Sequence, residues 1–443
     1  MKLHLPIALL TAVVSAMSYA HADINRELSG TPVTGATQGD LTVSITGNDD
    51  YTTTNMYYNK KPGYIGGAAH YEASGKENTL DPANGGNPAD RYSSINMIVG
   101  GEGSNPTLKY LMLEGLTVNS VVGDKSVTVN SGTIEVLYGG IVYLSGVPSG
   151  NLVHTGNVIG PNYYPCKDSS NPANTSITIN GGTVGHIRGG HSGKQEDYVY
   201  KVLSNAKTNG TYDELMADKP WSISGDVNIA VNGGVIDAAY AGKTTAIMGA
   251  GGSGHSVDGT VKVSVSGGTV LGDIFAGSNN IYSEVGATRV EISGGAITGN
   301  VYGGGDIDDG RTTYASYTDA PAPTVKGDTT VVLSGGTING NVYAAGINDV
   351  VNGRTHVVIS GDGTEVNGTI SGQGFNNNST VVGERLLTIE NSGGKNVNWD
   401  KIEGFNAVEF KGSEIKFGTL SEDFEKVSAE GSWLQGSFED GEV

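Results

Sequence analysis

The chain has 443 residues, of which 70 are glycine and only 16% are charged, and its formal net charge is −20. Nucleic acid requires a basic face, so this acidic balance excludes a nucleic-acid-binding protein and argues against binding to an anionic membrane surface. It is typical of a soluble, self-repelling exterior, and the 37% of apolar residues is enough for a thin core.

The first 22 residues are typical of a secretory signal peptide. Lys2 precedes an apolar run, and small residues follow at Ala20 and Ala22. A charged, an apolar and a small-residue region in this order mark export, and the run is too short to span a bilayer comfortably. We therefore expect cleavage after Ala22, which leaves no membrane span in the mature chain that begins at Asp23.

Residues 23–125 are less regular and predict an N-terminal cap of a longer array. Within them, "LTVSITGNDD" at 41–50 predicts a first strand followed by a corner. The single cysteine, Cys166, excludes an intrachain disulfide and carries no signature of a nucleophile, so we interpret it as a loop residue.

Residues 126–375 contain seven copies of one pattern. The copies lie at 126–140, 176–190, 227–242, 261–277, 288–304, 329–346 and 355–374. Self-similarity of this kind predicts a solenoid whose repeats stack on their neighbours.

Each copy alternates apolar and polar residues and then turns. In the copy at 261–277, "VKVSVS" places valine at every second position, which predicts a strand with one buried face. Gly267-Gly268 then marks a corner that needs positive φ or a backbone too crowded for a β-carbon. A second short strand follows through Val270 and Ile274, with another corner near Gly272. Roughly ten such coils would form a rod on the order of 50 Å long.

The equivalent apolar pair is four residues apart in the later copies and three apart in the second and third copies. In the third copy we assign this pair to Ile236 and Ala239. The change of spacing is tolerable only if a bend lies within the pair, because a straight strand would turn its side chains to the wrong face.

Residues 376–443 predict the last coils, up to Gly418, and an acidic tail. The unit "VEISGGAITGNVYGG" resembles the repeats of right-handed parallel β-helix passenger regions of bacterial autotransporters and related surface proteins, over roughly 126–420. The segments "LLTIENSGG" and "FNAVEFKGSEIKFG" are similar to the last coils of that family. The resemblance implies a right-handed parallel β-helix with variable loop insertions, secreted or held at the exterior of the outer membrane.

The same family carries a C-terminal translocator barrel, for which the residues after Gly418 leave no room. Three explanations stay open at this point. The sequence is a fragment, the solenoid is released, or another protein exports or holds it.

Two groups of residues are candidates for binding. Asp306, Asp308 and Asp309 could bind calcium, but the alternating ligands of a calcium loop are absent, and we favour a solvated acidic turn. Tyr302 and Tyr343 lie at matching positions with Tyr138, Tyr240 and Phe275. They could form an aromatic strip under sugar rings, although a ladder that serves packing is favoured.

The pair His186 and His191 is too sparse for a metal site, and we interpret both as exposed corner histidines. The sequence therefore predicts no metal, no cofactor and no catalytic residue, and the long inserts at 141–175, 191–222 and 306–328 are the expected functional loops.

Two functions follow as hypotheses. The first is a non-enzymatic, exported β-solenoid that acts in adhesion or as a structural stalk, with a host glycan or surface protein as partner. The alternative is a β-helical polysaccharide lyase or glycoside hydrolase, which would need carboxylates at one recurring position. Asp273 has Asn300 and Asn341 as counterparts, which breaks such a row and favours the first hypothesis.

Overall fold

The computed structural model describes most of the repeat array and parts of the segments around it. The described residues are 24–31, 38–52, 64–66, 70–71, 77–78, 92–113, 121–140, 142–143, 173–193, 208–210, 223–252, 255–279, 281–307, 321–360, 363–420, 424–429 and 431–438. The predicted signal peptide and Cys166 lie outside the described residues.

The chain winds into one sheet of 28 strands, in which hydrogen-bonded neighbours come from successive coils. The strand Val257–Val265, for example, pairs in parallel with Val227–Val231 of the preceding coil and with Glu284–Ile297 of the following one. The prediction of an all-β parallel β-helix is confirmed.

The first ladder, which begins each coil, contains twelve stacked parallel strands. They are Gln38–Ile45, Tyr92–Val99, Lys125–Val129, Thr175–Ile179, Val227–Val231, Val257–Val265, Glu284–Ile297, Thr329–Ile338, Thr355–Ser360, Arg385–Glu403, Ala407–Leu420 and Lys426–Ser428. Eleven steps of about 4.8 Å give a rod about 53 Å long. The ladder extends beyond 126–375 in both directions.

Alternation of residue types accounts for these strands. Val261, Val263 and Val265 have no exposed surface, whereas Lys262 and Ser264 between them point outward and are partly exposed. The parallel register places Val263 on Val290 and Val265 on Ile292 of the next coil, whereas Val261 lies on the buried Thr288. The interior beneath is a column formed largely by valine, isoleucine and leucine.

The second and third ladders form the other long sides of each coil, and the later halves of the long first-ladder strands also contribute to them. The remaining strands of these two ladders are Tyr64–Gly66, Thr107–Met112, Thr133–Tyr138, Thr183–Arg188, Val235–Asp237, Thr245–Met248, Thr269–Leu271, Asp273–Phe275, Val301–Tyr302, Val342–Tyr343, Thr364–Ser371 and Trp433–Phe438. A short ladder before the first one contains Thr324–Val325, Val350–Val351 and Thr380–Val381.

Smaller elements complete the chain. Ile24–Ser29 pairs antiparallel with the first rung of the first ladder. Two short pairs lie outside the main sheet, namely His70–Tyr71 with Glu77–Asn78 and Val142–Tyr143 with Ser192–Gly193. Two 3₁₀ turns are formed by Ala238–Ala241 and Phe375–Asn377.

The Gly-Gly pairs turn the chain for two different physical reasons. Gly295 has φ of 78°, in the left-handed region that favours glycine. Gly294 is outside that region, but a β-carbon there would lie well inside contact distance of the Ser266 carbonyl oxygen in the preceding coil. The prediction of a crowded backbone is therefore confirmed for the first glycine, and positive φ belongs to the second.

The assignment of the apolar pair in the third copy is wrong. Ile236 is in register as predicted, but Ile247, and not Ala239, pairs with Ile187 of the preceding coil. The reason is an insertion. Ala238–Ala241 forms a 3₁₀ turn closed by Gly242 in the left-handed region, and this turn displaces the apolar position along the sequence.

Candidate functional site

The four longest connections along the chain each follow a strand of the third ladder and precede the start of the next coil. The described residues that flank them are Gly66 and Tyr92, Tyr143 and Ala173, Gly193 and Ile223, and Ile307 and Pro321. We call the corner defined by these flanking residues the insert-bearing edge. The three predicted inserts coincide with three of these connections.

A column of buried polar residues lies along the described part of this edge. Backbone hydrogen bonds join the coils here: the Asn279 N–H donates to the Gly251 carbonyl at 3.0 Å, and the Asp306 N–H donates to the Ser278 carbonyl at 3.0 Å. The buried polar side chains are those of His191, His255, Ser278, Asn279, Asp306, Asp349 and Ser379.

Asp349 connects three successive coils through its carboxylate. One oxygen accepts the Gly305 N–H at 2.9 Å and the other accepts the Gly346 N–H at 3.0 Å, and the Ser379 hydroxyl contacts the same carboxylate. Burial raises the pKa of Asp349, and these hydrogen bonds oppose that shift. The Asp349 carboxylate is therefore a buried cross-link between coils, which we call the internal staple of this edge.

Asp306 is buried, with 5% of its surface exposed, and its backbone bridges to Asn279 and Ile347. The interpretation as a solvated turn therefore does not hold for Asp306, because neighbouring coils cover it. Asp308 and Asp309 lie outside the described residues.

The aromatic residues of the third ladder form a stack along the rod. The rings of Phe275 and Tyr302 are 4.2 Å apart and nearly parallel, and those of Tyr302 and Tyr343 are 5.0 Å apart at 11°. Tyr302 is 2% and Tyr343 is 7% exposed, and burial raises the pKa of both phenols. Such burial favours packing over an open platform for sugar rings.

Two residues assigned to this aromatic column have different surroundings. Tyr240 is not in it, because it lies on the inserted 3₁₀ turn and is 43% exposed; Met248 takes the column position and pairs with Phe275. Tyr138 does share the ladder position, but Arg188 separates it from Met248.

Side-chain amides form hydrogen-bonded series between coils. Asp273 accepts the Asn300 N–H at 2.7 Å, Asn300 accepts the Asn341 N–H at 2.8 Å, and Asn341 accepts the Thr369 N–H at 2.8 Å. Burial raises the pKa of Asp273. A second series, with contacts of 3.0 Å, joins the side chains of Asn130, Asn180, Asn232 and Ser266.

The prediction of exposed histidines is wrong. His186 is 3% and His191 is 1% exposed. His186 Nδ1 lies 2.8 Å from the Thr245 carbonyl oxygen, and the preceding Gly185 abuts Ala241 of the inserted turn. His191 packs edge-to-face against His255 at 5.8 Å. Both are covered by the next coil, which a pattern within one repeat does not reveal.

No three metal-ligating side chains converge within the described ranges, and no helix there is long and apolar enough to cross a membrane. Comparisons with protein-family models, with curated proteins and with solved structures find no match. The resemblance to autotransporter passengers therefore stays a prediction.

The arrangement described so far is that of a scaffold. Polar side chains at equivalent positions bond to the adjacent coil instead of converging on one point. Sequence reasoning missed Asp349 and the contact between His191 and His255. Gly305 and Gly346 occupy equivalent positions of successive coils, and both donate their N–H groups to the Asp349 carboxylate. This repeated glycine was the sequence signal that could have indicated a buried acceptor nearby.

Proposed function

We propose that this chain is an exported, non-enzymatic β-solenoid of a bacterial cell surface, which presents inserts from one edge of a rigid rod for adhesion. A host glycan or surface protein is the proposed partner, and a structural stalk is the simpler form of the same role. Export after cleavage near Ala22 and location at, or release from, the outer membrane exterior belong to this proposal.

This proposal depends on one observation: the residues that flank the four longest connections all lie at the insert-bearing edge. Loops held on a rigid scaffold are where binding residues concentrate. A rod about 53 Å long places several loops in one line, so that several weak contacts with one surface act together.

The rival function, a polysaccharide lyase or glycoside hydrolase, requires two or more free carboxylates at a suitable separation. The series that begins at Asp273 instead continues as Asn300, Asn341 and Thr369, and its side-chain oxygens accept hydrogen bonds from the next coil. This use of the aligned position supports the non-enzymatic proposal.

The deciding experiment replaces residues 194–222 by a short turn that copies the direct connection between Ile347 and Val350. Binding of the purified variant and of the parent chain to host cells and to immobilised glycans is then compared. We expect lost or weakened binding with an unchanged circular dichroism spectrum. Equal binding by both proteins would reject the adhesive role of this insert.

Two further measurements complete the test. Release of sugar ends from acidic and neutral polysaccharides would favour the enzyme and overturn the proposal. N-terminal sequencing of the exported protein should find Asp23 as the first residue.

A further inference from the structure

Three of the eight histidines are buried within two neighbouring coils, and two of them, His191 and His255, lie at the insert-bearing edge. His186 lies on the strand Thr183–Arg188, His191 follows that strand directly, and His255 belongs to the next coil. His191 fits against Gly140 of the preceding coil, where a β-carbon would collide with the imidazole ring. These rings are therefore built into the stack of coils.

The hydrogen bonding of His186 suits a neutral ring. Its Nδ1–H donates to the Thr245 carbonyl oxygen at 2.8 Å, and no described residue forms a hydrogen bond with the buried Nε2. A proton added to Nε2 would be a buried charge without an acceptor, which is strongly unfavourable.

The charges that reach these rings are cationic. For His186 they come from Arg188 on its own strand and Lys243 after the inserted turn, and for His191 they come from Lys125 and His255. The other titratable groups on the elements packed against His186 are Glu135 and Tyr138 on the preceding strand and Asp237 and Tyr240 at the inserted turn. Asp237 accepts the Ala239 N–H at 3.1 Å.

Burial, followed by the nearby cations, lowers the pKa of His186 to about 3 and holds the pKa of His191 well below its usual range. Unfolded histidine titrates near pH 6.5. An opened segment therefore binds more protons than the closed one below this pH, and closed coils lose stability as the pH falls from about 6.5.

We propose that residues 183–193 and 223–252 form an acid-sensitive part of the rod, in which protonation of His186 and His191 opens these coils while distant coils stay folded. Coils contact only their neighbours, so such opening stays local. Gly193 and Ile223, the described residues at the two ends of the insert 194–222, both belong to these coils, so opening would release both points at which the insert is attached.

Hydrogen exchange with mass spectrometry on the full chain tests this proposal at about pH 7 and about pH 5, after correction for the intrinsic rates. Residues 284–338 contain no histidine and serve as the internal reference. Between pH 7 and pH 5 the opening equilibrium constant of residues 183–193 and 223–252 should rise about 600-fold if two histidines are protonated and about 25-fold if only one is. Equal changes in these residues and in the reference, or no change in these residues, would overturn the proposal.

The variant His186→Asn removes one titrating group and retains an amide N–H at the position of Nδ1, which can donate to the Thr245 carbonyl. It should fold at pH 7 by circular dichroism, and its opening equilibrium constant should rise by only about 25-fold between pH 7 and pH 5. His356→Gln is the matched control, because His356 is half-buried in a distant coil and its Nε2 bonds the Thr388 hydroxyl at 2.7 Å. If His186→Asn does not fold, the wild-type comparison of the two pH values still tests the proposal. A folded variant with the same dependence on pH as the wild-type protein would reject the role of His186.

Discussion

Replacement of Gly294 by valine tests the physical basis of the coil corner. A β-carbon at Gly294 would lie 3.0 Å from the Ser266 carbonyl carbon and still closer to its oxygen, whereas ordinary contacts of a β-carbon begin at 3.4 Å. The two coils would have to separate by several tenths of an ångström. Overpacking of this kind costs about 1–3 kcal/mol, and we expect the free energy of unfolding to fall by that amount.

The seventh copy, at 355–374, supplies a matched control for this substitution. Gly363 lies at the equivalent turn outside the left-handed region, and the nearest atom to a β-carbon there is the Gly335 Cα at 3.8 Å. Gly363→Val should therefore change stability by no more than about 0.5 kcal/mol. The first copy carries Ser131 at the crowded position, where the different turn of the preceding coil lets its hydroxyl accept the Gly101 N–H at 2.9 Å.

Local hydrogen exchange is the appropriate assay, because long repeat arrays do not unfold in one step. Protection in Gly294→Val should fall within 261–338 and survive in 125–188. Unchanged protection around Gly294 would show that the corner accepts a side chain and would refute the steric explanation. Uniform loss along the chain would leave that explanation standing and contradict the independence of distant coils.

Substitutions at three other positions test the contacts between coils, each by the urea dependence of hydrogen exchange in its own coil. Asn341→Ala removes the acceptor of the Thr369 N–H and should cost about 1–2 kcal/mol; no loss would mean that water replaces the amide. Asp349→Ala leaves buried donors of adjacent coils unsatisfied and should cost about 2–3 kcal/mol, confined to 303–380, whereas a shift of less than about 0.5 kcal/mol would contradict the staple. Tyr302→Ala should cost about 3–5 kcal/mol, and Tyr302→Phe should cost less than about 1 kcal/mol because the ring stack remains. Similar losses in both Tyr302 variants would show that the hydroxyl, and not the stack, is important.

The period-two pattern was sufficient to predict the rod. Val261, Val263 and Val265 reveal a buried face directly, and parallel stacking repeats that face on the equivalent residues of every coil. The same logic failed for Tyr240, because the short insertion before Met248 shifts the pattern without interrupting the repeat. Local sequence does not distinguish an inserted turn from a strand when both contain small apolar residues.

The site was less predictable, since its contacts join residues of different coils. His186 and His191 belong to a glycine-rich stretch that is typical of an exposed corner, yet the next coil covers them. Asp349 likewise depends on Gly305, which is 44 positions away. Burial at a corner is a property of the stack and requires the register, which a single repeat does not contain.

The insert-bearing edge also makes length changes inexpensive for the fold. Each insert starts and ends on adjacent rungs, so its main cost is the entropy of loop closure, which rises by only about 0.6 kcal/mol for a doubling of length. The step from residues 308–320 to residues 194–222 is little more than such a doubling. Peptides of unrelated sequence could therefore replace residues 308–320, between Ile307 and Pro321, without altering the spacing of the rungs.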